Sequence, residues 1–505
     1  MNIITLLVSK VTGVPEPSIR LFLTLLLAYP IGYIYHQKYN IQKPDASRYV
    51  RNEFIVKTGL VLSFFFNGAS MMHSTITILI SYFLCHVGDE IYHNRRIGTL
   101  LVWTFNLSYL LLGYYFTASN DYDINWTTSQ CVLCLRLMGF SMDYMDGLAD
   151  NGEVAKTQAA KASTATEQTL TGPHSFASDS PLKELPDIRE FMGYCYLPPA
   201  FLIGPQFSFS LYQRFLNGPY NGTKPANKGL VEKAQMTYTA RCLVLGLIYI
   251  VFLQVMGAIY PSSYLLTSDY ASRSFLARNI IYYLCGKQVI VKYIGVWLIT
   301  EGACTLFGIN YQGYNAKGEP DFRGLANCNP FELETMTTFD RFISDFNINT
   351  NLWVKQYVFK RLRFLGNKML SQLGALFFLA VWHGFHFNYF DTFFLEFLYT
   401  ADERILRAVL YNPVVKPLME RNYLVYRIWK VLAWITATSS LFYAAVGFDL
   451  LSLQKMVVAR KNVYWYGHMF VLAIFALGFI LNKTKHTRRM NRMANSANKA
   501  PGKTD

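Results

Sequence analysis

Residues 375–390 read ALFFLAVWHGFHFNYF, and their reading decides what kind of protein this is. The run is apolar enough to lie in a bilayer, yet it carries two imidazoles, His383 and His386. The whole chain shares its bias: 52% of the 505 residues are hydrophobic and 16% charged, with 38 Phe and 35 Tyr. Soluble domains carry about a quarter charged residues, so this balance excludes an ordinary soluble protein. Apolar runs at 21–35, 60–66, 99–116, 242–260, 431–448 and 468–481, with further ones at 75–84 and near 126–147, 191–212 and 279–308, join the histidine run. Together they predict about eleven transmembrane or re-entrant helices. Several are short or broken by Gly, Pro or polar groups, and such backbone is tolerated at membrane depth only where protein or a water-lined cavity covers it. The expected fold is therefore an all-α polytopic membrane protein whose helices enclose a chamber.

The net charge of +15 is unevenly placed. Lys355, Lys360, Arg361, Arg363 and Lys368 crowd into KQYVFKRLRFLGNK, and a second basic stretch, 482–505, follows the last apolar run. By the positive-inside rule both face the cytosol, the second as a basic tail. Cations that flank spans are explained by topology and anionic headgroups, so nucleic acid is not an expected partner. The N-terminal MNIITLLVSKVTGVPEP has too short an apolar core for a cleaved signal and is expected to be retained. Eight scattered cysteines include the CxxC of Cys131 and Cys134, which lacks a second CxxC and lies in an apolar run; buried small hydrophobes are the expectation, and no metal site. Residues 149–181 are rich in Ala, Thr and Ser without a hydrophobic pattern and are expected to form a disordered polar loop inserted into one membrane-embedded domain, 1–505. The sequons at Asn106, Asn125, Asn221 and Asn482 read as chance matches.

Three readings compete for the histidines. A buried imidazole can simply lock packing, although polar groups at membrane depth by default suggest function. Metal binding lacks a third ligand, since there is no HExxH and no carboxylate three or four residues from His383. The third reading is a general base: a neutral imidazole in an apolar cavity resists charging and can take a proton from a hydroxyl. Its complement would be a donor for developing oxyanion charge. Upstream, SDFNINTNLW (344–353) offers Asn347, Asn349 and Asn351, each of which could equally form a turn or cap.

FNINTNLW, then KRLRFLGNK, then WHG is similar to the membrane-bound O-acyltransferase family, in which an asparagine six residues before a tryptophan is followed by a histidine within WHG. Here Asn347 stands six residues before Trp353, and Trp382, His383 and Gly384 follow. QCVLCLRLMGFSMDYMDG (130–147), YLPPAFLIGPQFSF (196–209) and EGACTLFGINYQGYNAKG (301–318) resemble the lysophosphatidylcholine acyltransferase branch, so the likeness covers most of the chain. It implies a catalytic chamber with His383 and Asn347 as its catalytic pair. It also implies motif or lining positions at Trp353, Trp382 and Gly384, and a structural or substrate-lining role for Asp143, Tyr144 and Asp146. The family motif often runs WHGxxxGY, whereas this chain has Asn388 at the second glycine.

The resemblance further implies an acyl-CoA-dependent acyltransferase that esterifies the free glycerol hydroxyl, at sn-2, of lysophosphatidylcholine, and also of the serine and ethanolamine forms, in phospholipid remodelling. Acyl-CoA would be a substrate, with no cofactor, and residence would be the endoplasmic reticulum membrane; a homodimer is compatible with it. Lys355, Lys360, Arg361 and Arg363 become candidates for the CoA phosphates, since clustered cations hold multivalent anions well. The alternatives are another acceptor within the family (lysophosphatidylinositol, a sterol or a protein) and, from another class, a transporter, for which intramembrane histidines are also typical. No inverted hydropathy repeat supports the transporter.

Overall fold

The computed structural model describes residues 3–497 apart from 120–123, 149–174, 177–179, 223–224, 226, 411–416 and 418–420. Among them the chain is helical throughout, without a β-sheet. The N-terminal half contributes α1 (Glu16–Tyr35), α2 (Arg48–Asn67), α3 (Met71–His86), α4 (Arg95–Thr117) and α5 (Trp126–Asp146). Two long helices, α6 (Lys228–Ile259) and α7 (Phe275–Phe307), pack along one another. Short helices α8 (Phe339–Asp345) and α9 (Ile348–Val354) lead to α10 (Lys368–His383), α11 (Phe387–Leu410), α12 (Tyr423–Ala445), α13 (Leu453–Lys461) and α14 (Tyr466–Ala497).

Polar residues in the connections start these helices. Ser47, Asn94, Asn125, Asn227, Ser274 and Asn367 each accept a hydrogen bond from a backbone N–H in the first turn that follows, satisfying donors the helix itself leaves open. Packing is close where glycine permits it. A Cβ on Gly286 of α7 would lie 2.0 Å from the carbonyl oxygen of Phe442 on α12, so this crossing requires a residue without a side chain.

The expected count of about eleven transmembrane or re-entrant helices is not confirmed. Among the described residues, six helical segments are long and apolar enough to cross a membrane, or seven if the bent pair Leu453–Lys461 and Tyr466–Leu481 is one span. The shortfall from eleven has visible causes. The 191–212 run becomes two eight-residue helices, Ile188–Cys195 and Phe209–Leu216, joined by a non-helical loop. The helix α5 carries Arg136, Asp143 and Asp146, and α10 stops after 16 residues at His383. Of these shorter pieces α5 is almost wholly buried inside a multi-pass membrane protein, whereas α10 is buried on one face and leaves Met369, Leu370 and Phe377 exposed on the other. Of α7, 83% of the most apolar window is buried, against 11% for the segment Lys228–Leu266 that contains α6, so α7 is the central post and α6 faces outward.

The boundary of the polar insertion is also corrected at its C-terminal end. Most of 149–181 lies outside the described residues, but Ser175 and Ser180 are buried, the Ser175 carbonyl accepts from the Ser208 N–H at 2.8 Å, and the Phe176 ring meets Tyr357 at 5.8 Å. An aromatic anchor at 176 therefore returns the chain to the core before the predicted end of the loop. The basic stretch after residue 482 continues α14 as far as Ala497.

Candidate active site

Arg136, buried in the middle of α5, organises the floor of the site. Its guanidinium donates to the carbonyls of Tyr194, Cys195, Ala200 and Pro205 at 2.9–3.3 Å and stacks 4.8 Å from the centre of the Phe207 ring. A buried cation is tolerated when its donors are used in this way. The loop it holds runs beside α5, and Gln206 Nε2 donates to the Val132 carbonyl at 2.8 Å.

The same helix gathers both sequence motifs. Trp353 Nε1 donates to the Leu135 carbonyl and Trp382 Nε1 to the Cys131 carbonyl, each at 2.9 Å. Cys131 and Leu135 are one turn apart on one face of α5. Two indoles thus clip the asparagine segment and the histidine segment to adjacent rungs of one post, which explains why each motif residue travels with a tryptophan.

His383 is the last residue of α10. Gly384 follows at φ 124°, a conformation open to glycine, and the helix cannot continue. The imidazole is left among four rings: Trp382, Phe448, Tyr389 and Phe393, with centres at 4.6–5.5 Å. Asn388, at the motif's usual glycine, sits in the first turn of α11 and donates to the Ser452 carbonyl at 3.2 Å, a tie that glycine could not make.

The three asparagines separate by their bonds. Asn349 is buried, and its amide donates to the Leu325 and Ala326 carbonyls and to Asn327 Oδ1; Asn351 donates to the Ile343 and Phe346 carbonyls. Both are spent on local structure. Asn347, at φ 48°, uses the left-handed conformation that asparagine tolerates. Its Oδ1 accepts from Asn327 Nδ2 at 3.3 Å, and its own Nδ2 has no partner among the described residues. An amide held by its oxygen with its N–H groups uncommitted is what an oxyanion donor requires.

Two cavities meet at this pair. The wider, about 330 Å³, is lined by Tyr114, Thr128, Gln206, Trp297 and His386, among others, and the narrower, about 120 Å³, by Phe342, Leu379, Phe393, Leu441 and Phe448, among others. Asn347 and His383 line both, as do Tyr293 and Trp297, whereas His386 lines only the wider. Lys292 lines the wider cavity and pairs with Asp449 at 2.9 Å. Asn327, which orients Asn347, was not legible in the sequence: it lies 20 residues upstream in a loop with no motif of its own.

The remaining candidates lie elsewhere. Asp143 accepts from Tyr357 Oη at 2.7 Å, Tyr144 donates to Asp89, and Asp146 pairs with Arg361, so all three bind protein and none lines either cavity. Lys355, Lys360, Arg361 and Arg363 are exposed and line neither cavity. Arg361, through Asp146, stands at the far end of α5, roughly 22 Å from Cys131 at 1.5 Å per residue. The cysteines form no disulfide, and seven of the eight are buried.

Comparison with known proteins identifies the family. Residues 111–446 match the model of the membrane-bound O-acyltransferase family. The chain is 34% identical over 464 residues to lysophospholipid acyltransferase 5 of Drosophila melanogaster, covering 91% of this chain and 86% of that one. It is 33% identical to the protein of the same name from Homo sapiens over 474 residues, covering 93% and 90%. The lysophospholipid acyltransferase of Schizosaccharomyces pombe is 25% identical over 483 residues, covering 93% and 87%. With an uncommitted asparagine amide and a WHG histidine clipped to one helix inside this match, the chain belongs to the membrane-bound O-acyltransferase family and is an O-acyltransferase.

Proposed function

We propose that the protein is an acyl-CoA-dependent lysophospholipid acyltransferase, and the observation that carries this is the sharing of His383 and Asn347 by two cavities. A two-substrate transfer needs each substrate held separately and both reacting atoms at one point. The wider cavity, with amides, hydroxyls and aromatic rings, takes the lysophospholipid; the narrower, walled away from the junction largely by Val289, Ile290, Leu379, Leu441 and phenylalanines, takes the acyl chain of the thioester. His383 accepts the proton of the free glycerol hydroxyl, at sn-2, as its oxygen attacks the thioester carbon. The Asn347 amide donates to the oxyanion. The C–S bond then breaks and His383 returns the proton to the departing thiolate, so that ester and free CoA thiol leave and the imidazole ends neutral. No metal and no acyl-enzyme takes part in this scheme.

The names of the relatives support a lysophospholipid as acceptor. Within that class the aromatic lining and the paired state of Lys292 favour a headgroup that bears an ammonium, choline first because rings attract quaternary ammonium groups, then ethanolamine and serine. We place the enzyme in the endoplasmic reticulum membrane, with the basic cluster of 355–363 on the cytosolic side, where CoA arrives. The test is purified protein in detergent given lysophospholipid and acyl-CoA. Release of free thiol together with a diacyl product, dependent on both substrates, is expected. Thiol release without ester, or neither, would refute the reading.

A further inference from the structure

The narrower cavity contains one group for which this scheme has no use. Its walls are largely alkyl and aromatic side chains, with Asn347, Asn351, His383 and Thr392 as polar exceptions, and Glu396 of α11, which also lines it, makes no hydrogen bond or ion pair within the described residues. No Lys or Arg lines the cavity. Tyr399, three residues on and therefore on the same face of the helix, lines it too, and its hydroxyl is buried without a hydrogen-bond partner among the described residues. A carboxyl that served only the fold would be expected to bond a neighbour, because leaving such a group unsatisfied is costly. Among the other polar side chains of this cavity, Thr392 and Asn351 are committed elsewhere, Thr392 donating to the Ala444 carbonyl and Asn351 to the Ile343 and Phe346 carbonyls.

Its position says which part of a ligand it meets. The Phe393 ring lies 5.5 Å from that of His383, and Glu396 follows one turn further along the same face, roughly 5 Å beyond. An acyl chain whose thioester carbon sits at His383 passes Glu396 with its middle carbons, neither its carbonyl end nor its terminal methyl. As the neutral acid, the form that avoids a bare charge among apolar walls, Glu396 offers one O–H donor at that depth. A saturated chain has nothing to accept it. The π face of a cis double bond accepts it weakly, and an oxygen substituent accepts it well.

We propose that Glu396 is a specificity-determining residue for the acyl donor, selecting chains that carry a hydrogen-bond acceptor on their middle carbons over plain alkyl chains. The inference rests on the narrower cavity being the acyl-chain site. The experiment is a competition assay on the full-length enzyme with acyl-CoAs of equal length: saturated, cis-unsaturated in mid-chain, and hydroxylated in mid-chain. Ratios of products are read, so they remain measurable at reduced activity.

Wild type is expected to favour both substituted chains. E396L is expected to lose about 3–10-fold of that preference, and E396Q, which keeps a donor of similar size, to retain most of it. A loss confined to the hydroxylated chain, or to the unsaturated one, identifies which acceptor the site reads. Should E396L not accumulate as folded protein, E396M carries the same apolar comparison. Ratios in E396L or E396M equal to those of wild type overturn the inference, as does an equal loss in E396Q. If wild type consumes no acyl-CoA at all, the parent reading falls, a result distinct from unchanged ratios in an active enzyme.

Discussion

At the scale of single residues the structure separates side chains that look alike in sequence. His383 and His386 are three apart, but the break at Gly384 leaves only the first at the junction of both cavities. His383→Ala should lower turnover by about 10²–10⁴-fold, the usual worth of a general base, with the protein still expressed and folded; His386→Ala should cost far less. Steady-state rates on both variants decide the matter, and the opposite ranking would move the base to His386. Asn347→Ala should reduce kcat by roughly 10²–10³-fold with little change in the lysophospholipid KM. Asn349→Ala removes three hydrogen bonds from a buried amide and should instead appear as lost thermal stability, on the order of 1–3 kcal/mol. Equal kinetic losses at 347, 349 and 351 would show a structural turn. The order of the motifs pointed to His383 and Asn347, the two motif residues that the structure brings to one junction, whereas spacing alone could not choose between the two histidines. The choice depends on a glycine φ angle and on which cavity each ring faces, neither of which a linear pattern records.

At the scale of elements, α5 does what periodicity could not announce. It read as one apolar run among many, yet it supplies the carbonyls that hold Trp353 and Trp382, the guanidinium that holds the 194–205 backbone, and the acids that hold Tyr357 and Arg361. The difference between about eleven expected pieces and the six or seven span-length helices among the described residues has the same origin, because hydropathy does not distinguish a helix buried in protein from one facing lipid. Replacing Trp382 by Phe keeps the ring and removes the N–H. It should therefore lower kcat for every donor and acceptor alike without changing either KM, since it loosens the helix end that carries His383. A selective KM change would instead place the indole against one substrate. For the basic segment 355–363 the pairing of Arg361 with Asp146 divides the four cations. Lys355→Ala and Arg363→Ala should raise the acyl-CoA KM, less so at high salt because exposed charges are screened, and leave the lysophospholipid KM unchanged. Saturation curves for both substrates at two ionic strengths test this, and flat acyl-CoA constants would leave these cations with topology alone.

At the scale of the whole molecule, the arrangement of two cavities around one junction requires that substrates be separable by mutation. The α7 post contributes Tyr293 and Trp297 to both cavities, so changes there should disturb both substrates together. Away from the post the walls diverge: Thr128 of α5 borders only the wider cavity, and Ala445 at the end of α12 only the narrower. Thr128→Phe should raise the lysophospholipid KM and spare acyl-CoA of any length. Ala445→Leu puts three further carbons into a space of about 120 Å³, and overpacking a filled site costs on the order of 1–3 kcal/mol, equivalent to roughly 5–150-fold in affinity. That cost should fall on donors whose chains reach the added side chain, so the variant should discriminate sharply between long and short acyl-CoAs while keeping the lysophospholipid KM of wild type. The measurement is kcat/KM across an acyl-CoA length series for both variants. If Ala445→Leu instead penalised acceptors, or Thr128→Phe shortened the tolerated donor, the two cavities would have to exchange their assigned substrates, with His383 and Asn347 still at the point where they meet.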